Sequence, residues 1–198
     1  MSDGTPEFAT LYAHVRVILG IIVGLGLTHL LRNLARLVEE PREDRLYWVH
    51  LMWAGFAVLY LLHFWWWEFR FSHTTLISLP VYLYLIGYTL LLYLLCALLF
   101  PEKNSEPKNY RALFLLRRKW FFGVLALIFA VDFGDTLLKG GGYLVELGSL
   151  YVYRNILFIA ACLVALISTN RFYHATFVVL AIIFQVCWLF MEYFFSNA

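Results

Sequence analysis

Charged side chains are scarce in this chain of 198 residues. Asp, Glu, Lys and Arg make up 14% of it, against about 25% in a soluble domain. That shortage excludes a water-soluble globular enzyme and a disordered chain. Nucleic acid is excluded as a partner too, because 15 Lys and Arg are set against 13 Asp and Glu, leaving a net charge of only +2. Cysteine is equally sparse. Cys96, Cys162 and Cys187 each lie inside an apolar run, and none forms a CxxC or CxxCH pair. No disulfide framework follows, and all three read as packing residues. The first ten residues carry Asp3 and Glu7 but no Lys or Arg, so the basic start of a secretory signal peptide is lacking. Walker A, GxGxxG, HExxH, GxSxG and TVGYG-type signatures are missing. The chain therefore reads as non-enzymatic.

What the sequence does have is apolar residues, 63% of the total, with 19% aromatic. Six segments reach the roughly 20 apolar residues a spanning helix needs. They are 11–32 (with an amphipathic extension to Val38), 46–69, 76–100, 120–138 (with an amphipathic start near Tyr110), 149–168 and 172–195. Pro101 ends the third, and Gly140, Gly141 and Gly142 end the fourth. Helices apolar all round belong in lipid or in a core. The expectation is an all-α, polytopic integral membrane protein with six transmembrane helices, one domain over 1–198. Three spans before Pro101 and three after it have opposite directions, the geometry of a 3+3 inverted topology, without residue-level similarity between the halves.

Orientation follows from Lys and Arg. Connections one, three and five and their flanks hold Arg32, Arg36, Arg42, Arg45, Lys103, Lys108, Arg111, Arg117, Arg118, Lys119 and Arg171. The other side has Arg16, Arg70, Lys139 and Arg154. Eleven against four places the odd connections in the cytoplasm and both termini outside. Trp48, Trp53 and Trp120 are expected toward the inner interface, and Trp65, Trp66 and Trp67 at the outer one as anchors.

Asp132 and Asp135 are the residues most suggestive of chemistry. They lie three apart in the fourth span and so share a face. An aspartate at the centre of a spanning helix costs roughly 2.5–3.5 kcal/mol, so each needs a partner. His63 and Arg154 reach a similar depth, and Arg16 and Glu68 lie nearer the surface. An outer polar cluster of Asp132, Asp135, His63, Arg154 and Arg16 is expected. One form of it is a register-fixing ion pair of Asp132 with Arg154, with Asp135 paired to Lys139. The other form is an ion or proton vestibule. A second feature is the first-span stripe Arg16, Gly20, Gly24, Thr28, Arg32, which reads as helix packing or as the lining of a pore. Its four-residue steps drift by about 40° each.

Histidines suggest a third chemistry. His14 with His63, and His29 with His50, match in depth as haem ligands would. Their spacings leave them on different faces, so no cofactor is expected and haem is kept as a minor alternative. No metal-ligand spacing is present. Gln185, Thr89 and Tyr60 lie near mid-helix and read as interhelical hydrogen-bond formers.

The stretches LGLTHLLRNLARL (25–37) and RLYWVHLMW (45–53) resemble an uncharacterised group of small bacterial multi-helix membrane proteins. The similarity continues through FWWWEF (64–69), LLFP (98–101) and KWFFG (119–123). The resemblance implies a bacterial inner-membrane location, and no activity or functional residue is carried over from it. From the residues themselves, the expected function is a small channel or transporter for ions or protons, homo-oligomeric or associated with another membrane protein. The alternative is a non-catalytic sensor, effector or accessory subunit of a larger membrane complex. Transmembrane electron transfer by haem comes third.

Overall fold

The computed structural model describes residues 4–39, 47–68, 78–100 and 110–196. These form six helices and, among the described residues, no strand. They are α1 (Gly4–Glu39), α2 (Trp48–Trp67), α3 (Leu79–Leu99), α4 (Tyr110–Leu138), α5 (Gly141–Ile167) and α6 (Arg171–Ser196). Each contains a stretch long and apolar enough to cross a bilayer, and α2 is the most enclosed. The protein is thus an all-α, multi-pass membrane protein. Arg42, Arg45, Arg70, His73, Lys103 and Lys108 lie outside the described residues.

The amphipathic start of the fourth segment near Tyr110 and its span form one continuous helix of 29 residues, as the sequence suggested. The fifth helix begins at Gly141 rather than at 149. Lys139 and Gly140 make the turn out of α4, Gly140 with φ 115°, and Gly148 inside α5 adopts φ 69°. At that φ a Cβ would clash with the backbone, so glycine lets α5 bend where another residue would end it.

The helix pairings do not repeat between the halves. α4 packs most extensively on α5, whereas α1 packs most extensively on α3, and α2 touches α1, α3, α4 and α6. The opposite direction of the two halves is therefore a matter of chain path. Side chains such as Val17, Ile21, Leu116, Ile156 and Ile167 are more than half exposed. Only hydrocarbon can solvate so apolar a surface without cost.

The middle of the bundle is a layer of aromatic rings. Trp53 is wholly buried and meets Phe56, Phe121, Phe122 and Phe177 edge-on at 5.1–5.3 Å between centroids. Phe129 stacks on Phe158 at 4.5 Å. Edge-to-face pairs add about 0.5–1.5 kcal/mol each beyond area burial. Trp53 therefore corrects an expectation: it is a core residue and not an interfacial one, because it faces four rings, one on its own helix, two on α4 and one on α6. Trp48 and Trp120 do project outward, at 52% and 72% exposed. The three consecutive tryptophans point three ways, as about 100° per residue demands. Trp66 is exposed, Trp67 is buried, and Trp65 lies over Gly20. Cys96 and Cys162 are buried as packing residues, whereas Cys187 is exposed on α6.

Candidate functional site

Most polar residues of the interior gather in one half of the bundle, toward the end that carries Glu68, Leu79, Leu138 and Gly140, while His50 and His174 are buried near the other end. Asp132 lies six residues before the end of α4, about 9 Å along the helix at 1.5 Å per residue. It is 7% exposed and is held from two neighbouring helices. Tyr88 of α3 donates to Oδ1 at 3.0 Å. From α5, Tyr151 and Asn155 donate to Oδ2 at 2.9 and 3.0 Å. The two tyrosine donors each have a supporting contact. Tyr60 of α2 lies 3.2 Å from the Tyr88 hydroxyl; since Tyr88 gives its proton to Asp132, Tyr60 is the donor there. Thr136 donates to Tyr151 at 2.7 Å. Tyr84 ties α3 to α4 through the Val131 carbonyl.

Asp132 and Arg154 do not form the direct ion pair that their depths suggested, because none of their charged atoms comes within 4.0 Å. The reason lies in the geometry of α5. Arg154 faces aromatic rings, with its guanidinium carbon 5.1 Å from the Trp188 ring, 5.6 Å from Phe129 and 5.9 Å from Tyr151. Tyr151 and Asn155, a turn apart with Arg154 between them, take the carboxylate instead. Between Asp132 and Arg154 lies a cavity of about 10 Å³ lined also by Tyr60, His63, Trp67 and Tyr88. That is room for about one water molecule. His63 is buried, and its Nδ1 is 2.9 Å from the Gln185 amide nitrogen of α6. An amide nitrogen can only donate, so Nδ1 accepts and the proton of neutral His63 sits on Nε2.

Asp135 does pair with Lys139, at 2.6 Å one helical turn on. Sequence reasoning missed the second partner, Glu68, whose Oε1 is 3.0 Å from the same ammonium. All three side chains are 2% exposed or less, and Lys139 also sits 5.4 Å from the Trp67 ring. Tyr12 of α1 donates to the Glu68 carbonyl at 2.8 Å, so the triad joins α1, α2 and α4. Burial pushes the Glu68 carboxyl up to about 8, Asp135 adds to the rise, and Lys139 opposes it. Burial lowers Lys139, but the two carboxylates outweigh it and leave its ammonium raised.

The cluster expected from sequence is thus split. Asp132, His63 and Arg154 share the cavity, and Asp135 belongs to the neighbouring triad. Arg16 stands at the edge, half-buried, 5.0 Å from the Trp65 ring. Tyr88, Tyr151, Asn155 and Thr136 were not anticipated as ligands of the network. The i, i+3, i+4 spacing of Tyr151, Arg154 and Asn155 was the signal that put them on one face.

The glycine stripe does not line the interior. A Cβ on Gly20 would stand 2.8 Å from the Trp65 ring, so Gly20 is a packing residue; Gly24 meets nothing within 4 Å, and Thr28 is exposed. The close approach falls on Gly26, where a Cβ would meet Leu61 of α2 at 3.0 Å and Cys96 of α3 at 3.4 Å. The haem pairs do not share faces. His14 is exposed while His63 is buried, and His29 is half-buried. His50 is packed by Phe100, Tyr110 and Phe114 at 5.0–6.5 Å between ring centroids. Among the described residues no three His, Cys, Asp or Glu side chains stand together as metal ligands. No family model, curated protein or solved structure matches the chain.

Proposed function

We propose that this protein is a small transporter or channel for protons or other small ions, with the Asp132 cavity as its ion-handling vestibule. One observation carries the reading: a buried carboxylate and a buried guanidinium line a common cavity at membrane depth without contacting each other. Intramembrane ionisable groups are costly, and ion or proton pathways are where they recur. The positive-inside distribution supports a sidedness in which this half faces outward and both termini lie outside. The resemblance of its first two spans supports a bacterial inner-membrane location. A homo-oligomer is supported by the outward-facing Gly24 and Thr28 on α1, small side chains suited to close helix contact.

The test is proton flux into proteoliposomes that enclose a pH-sensitive dye, with the membrane potential clamped. We expect flux above that of empty vesicles, lowered at least tenfold by Asp132→Asn. Equal flux in the two proteins refutes the vestibule. The aromatic layer around Trp53 favours a second reading, in which the protein is a non-conducting sensor or accessory subunit. Absence of flux together with purification at fixed stoichiometry with another membrane protein would select that reading.

A further inference from the structure

The cavity between Asp132 and Arg154 is bordered by a residue with a polar atom that lacks a protein partner. Arg154 is 4% exposed, and its Nε has no hydrogen-bond acceptor. Nearby in the same network, Asn155 Oδ1 and Gln185 Oε1 are buried without a donor. Buried polar groups in folded proteins are almost always satisfied, by protein or by ordered water, and a water needs two to four polar partners and about one probe sphere of space. The cavity offers both: Tyr60, His63, Asp132 and Arg154 line it, and its volume is about 10 Å³.

We infer that this cavity is a binding site for one ordered water molecule, which joins Asp132 to Arg154 as a water-separated ion pair and connects His63 to the Asp132 carboxylate. The ligand is small and neutral for two reasons. The volume admits one water-sized occupant, and the two facing charges cancel, so no ion is held there at rest. The water also supplies a proton route. With the Gln185 carboxamide turned so that its Oε1 accepts from Nδ1, His63 carries a proton on each ring nitrogen. Its Nε2–H bond breaks as the water takes that proton, one of the water's own O–H bonds breaks in turn, and an O–H bond forms on Asp132. Imidazole and carboxyl both end neutral, and Arg154 keeps its charge. The groups surrounding Asp132 are Tyr60 and His63 from α2, Tyr88 from α3, Asp135 on its own helix, and Tyr151, Asn155 and Arg154 from α5. From α6, Gln185 reaches His63. The hydrated pair stands apart from the transport reading, whereas the proton route rests on it.

The experiment is X-ray hydroxyl-radical footprinting of the purified protein in nanodiscs, in H₂¹⁶O and H₂¹⁸O, read by mass spectrometry. Tyr60, Tyr88, Trp53 and Phe56 are all 3% exposed or less, so burial alone predicts equal protection. A bound water predicts labelling of Tyr60 and Tyr88 at least tenfold faster than Trp53 and Phe56, after normalising to each residue's intrinsic reactivity. Equal protection would overturn the hydrated site. For the route, His63→Gln is expected to lower proteoliposome proton flux at least fivefold while Trp53 and Phe56 stay protected, which shows that the fold is retained. Undiminished flux in His63→Gln would overturn the route. No flux in the unsubstituted protein would remove the transport reading and the route with it, and the labelling would still decide the hydrated pair.

Discussion

Replacing Tyr88 by Phe deletes a single oxygen from the centre of the polar network. The hydroxyl donates to Asp132 at 3.0 Å and accepts from Tyr60 at 3.2 Å, and Tyr88 is 1% exposed. Two groups therefore lose a partner where no bulk water can replace it. A hydrogen bond to a charged acceptor contributes about 1.5–3 kcal/mol in soluble proteins. Interhelical hydrogen bonds in lipid average about 0.6 kcal/mol, because the unfolded chain finds other partners there. Asp132 draws on donors from two different helices, an arrangement the separated helices cannot reproduce. We therefore expect the upper range, about 2 kcal/mol. The assay is reversible unfolding of the purified protein in detergent, or steric trapping in bicelles, with Tyr93→Phe as control. Tyr93 is 38% exposed, and its substitution should stay within about 0.5 kcal/mol. A cycle with Asp132→Asn isolates the contribution of the charge. Coupling above about 1 kcal/mol is expected for residues in one network. A Tyr88→Phe protein as stable as the control, or an additive cycle, would refute the claim that the network holds α3 against α4.

Other outcomes follow from the same geometry. Gly26→Val should destabilise the bundle by about 1–3 kcal/mol through overpacking, since its Cβ meets Leu61 and Cys96, whereas Gly24→Val, with nothing within 4 Å, should leave the melting temperature in detergent nearly unchanged. Gly148→Ala should cost about 1–3 kcal/mol for the imposed left-handed backbone, read as a lowered melting temperature, because the position holds φ 69°. The Glu68 carboxyl is raised by burial to about 8 from 4.5. Its contribution to stability is therefore present below the unfolded value and is lost as pH rises toward 8, so the melting temperature should fall between pH 5 and 8. Glu68→Gln should flatten that slope, and an unchanged slope would assign the dependence to other groups. Trp53→Ala should lower stability by about 3–5 kcal/mol, measured by the same unfolding assay, because four aromatic neighbours lose contacts.

Much of the membrane architecture was legible in the residues alone. Hydrocarbon demands runs of about 20 apolar side chains whatever they pack against, so six runs announced six helices. The depth of Asp132, His63 and Arg154 was legible for the same reason, since position along a spanning helix sets depth. The Asp135–Lys139 pair followed from four-residue spacing. Rotation about each helix axis was not legible, because lipid and core accept the same apolar residues and no polar face marks the inside. Only tertiary structure could place Trp53 in the core, turn Gly24 outward and set Gly26 against α2 and α3. It alone decided that Tyr88, Tyr151 and Asn155 satisfy Asp132 while Arg154 stacks on Trp188. Partners on separate helices are fixed by packing angles and helix order, which periodicity within one segment does not encode.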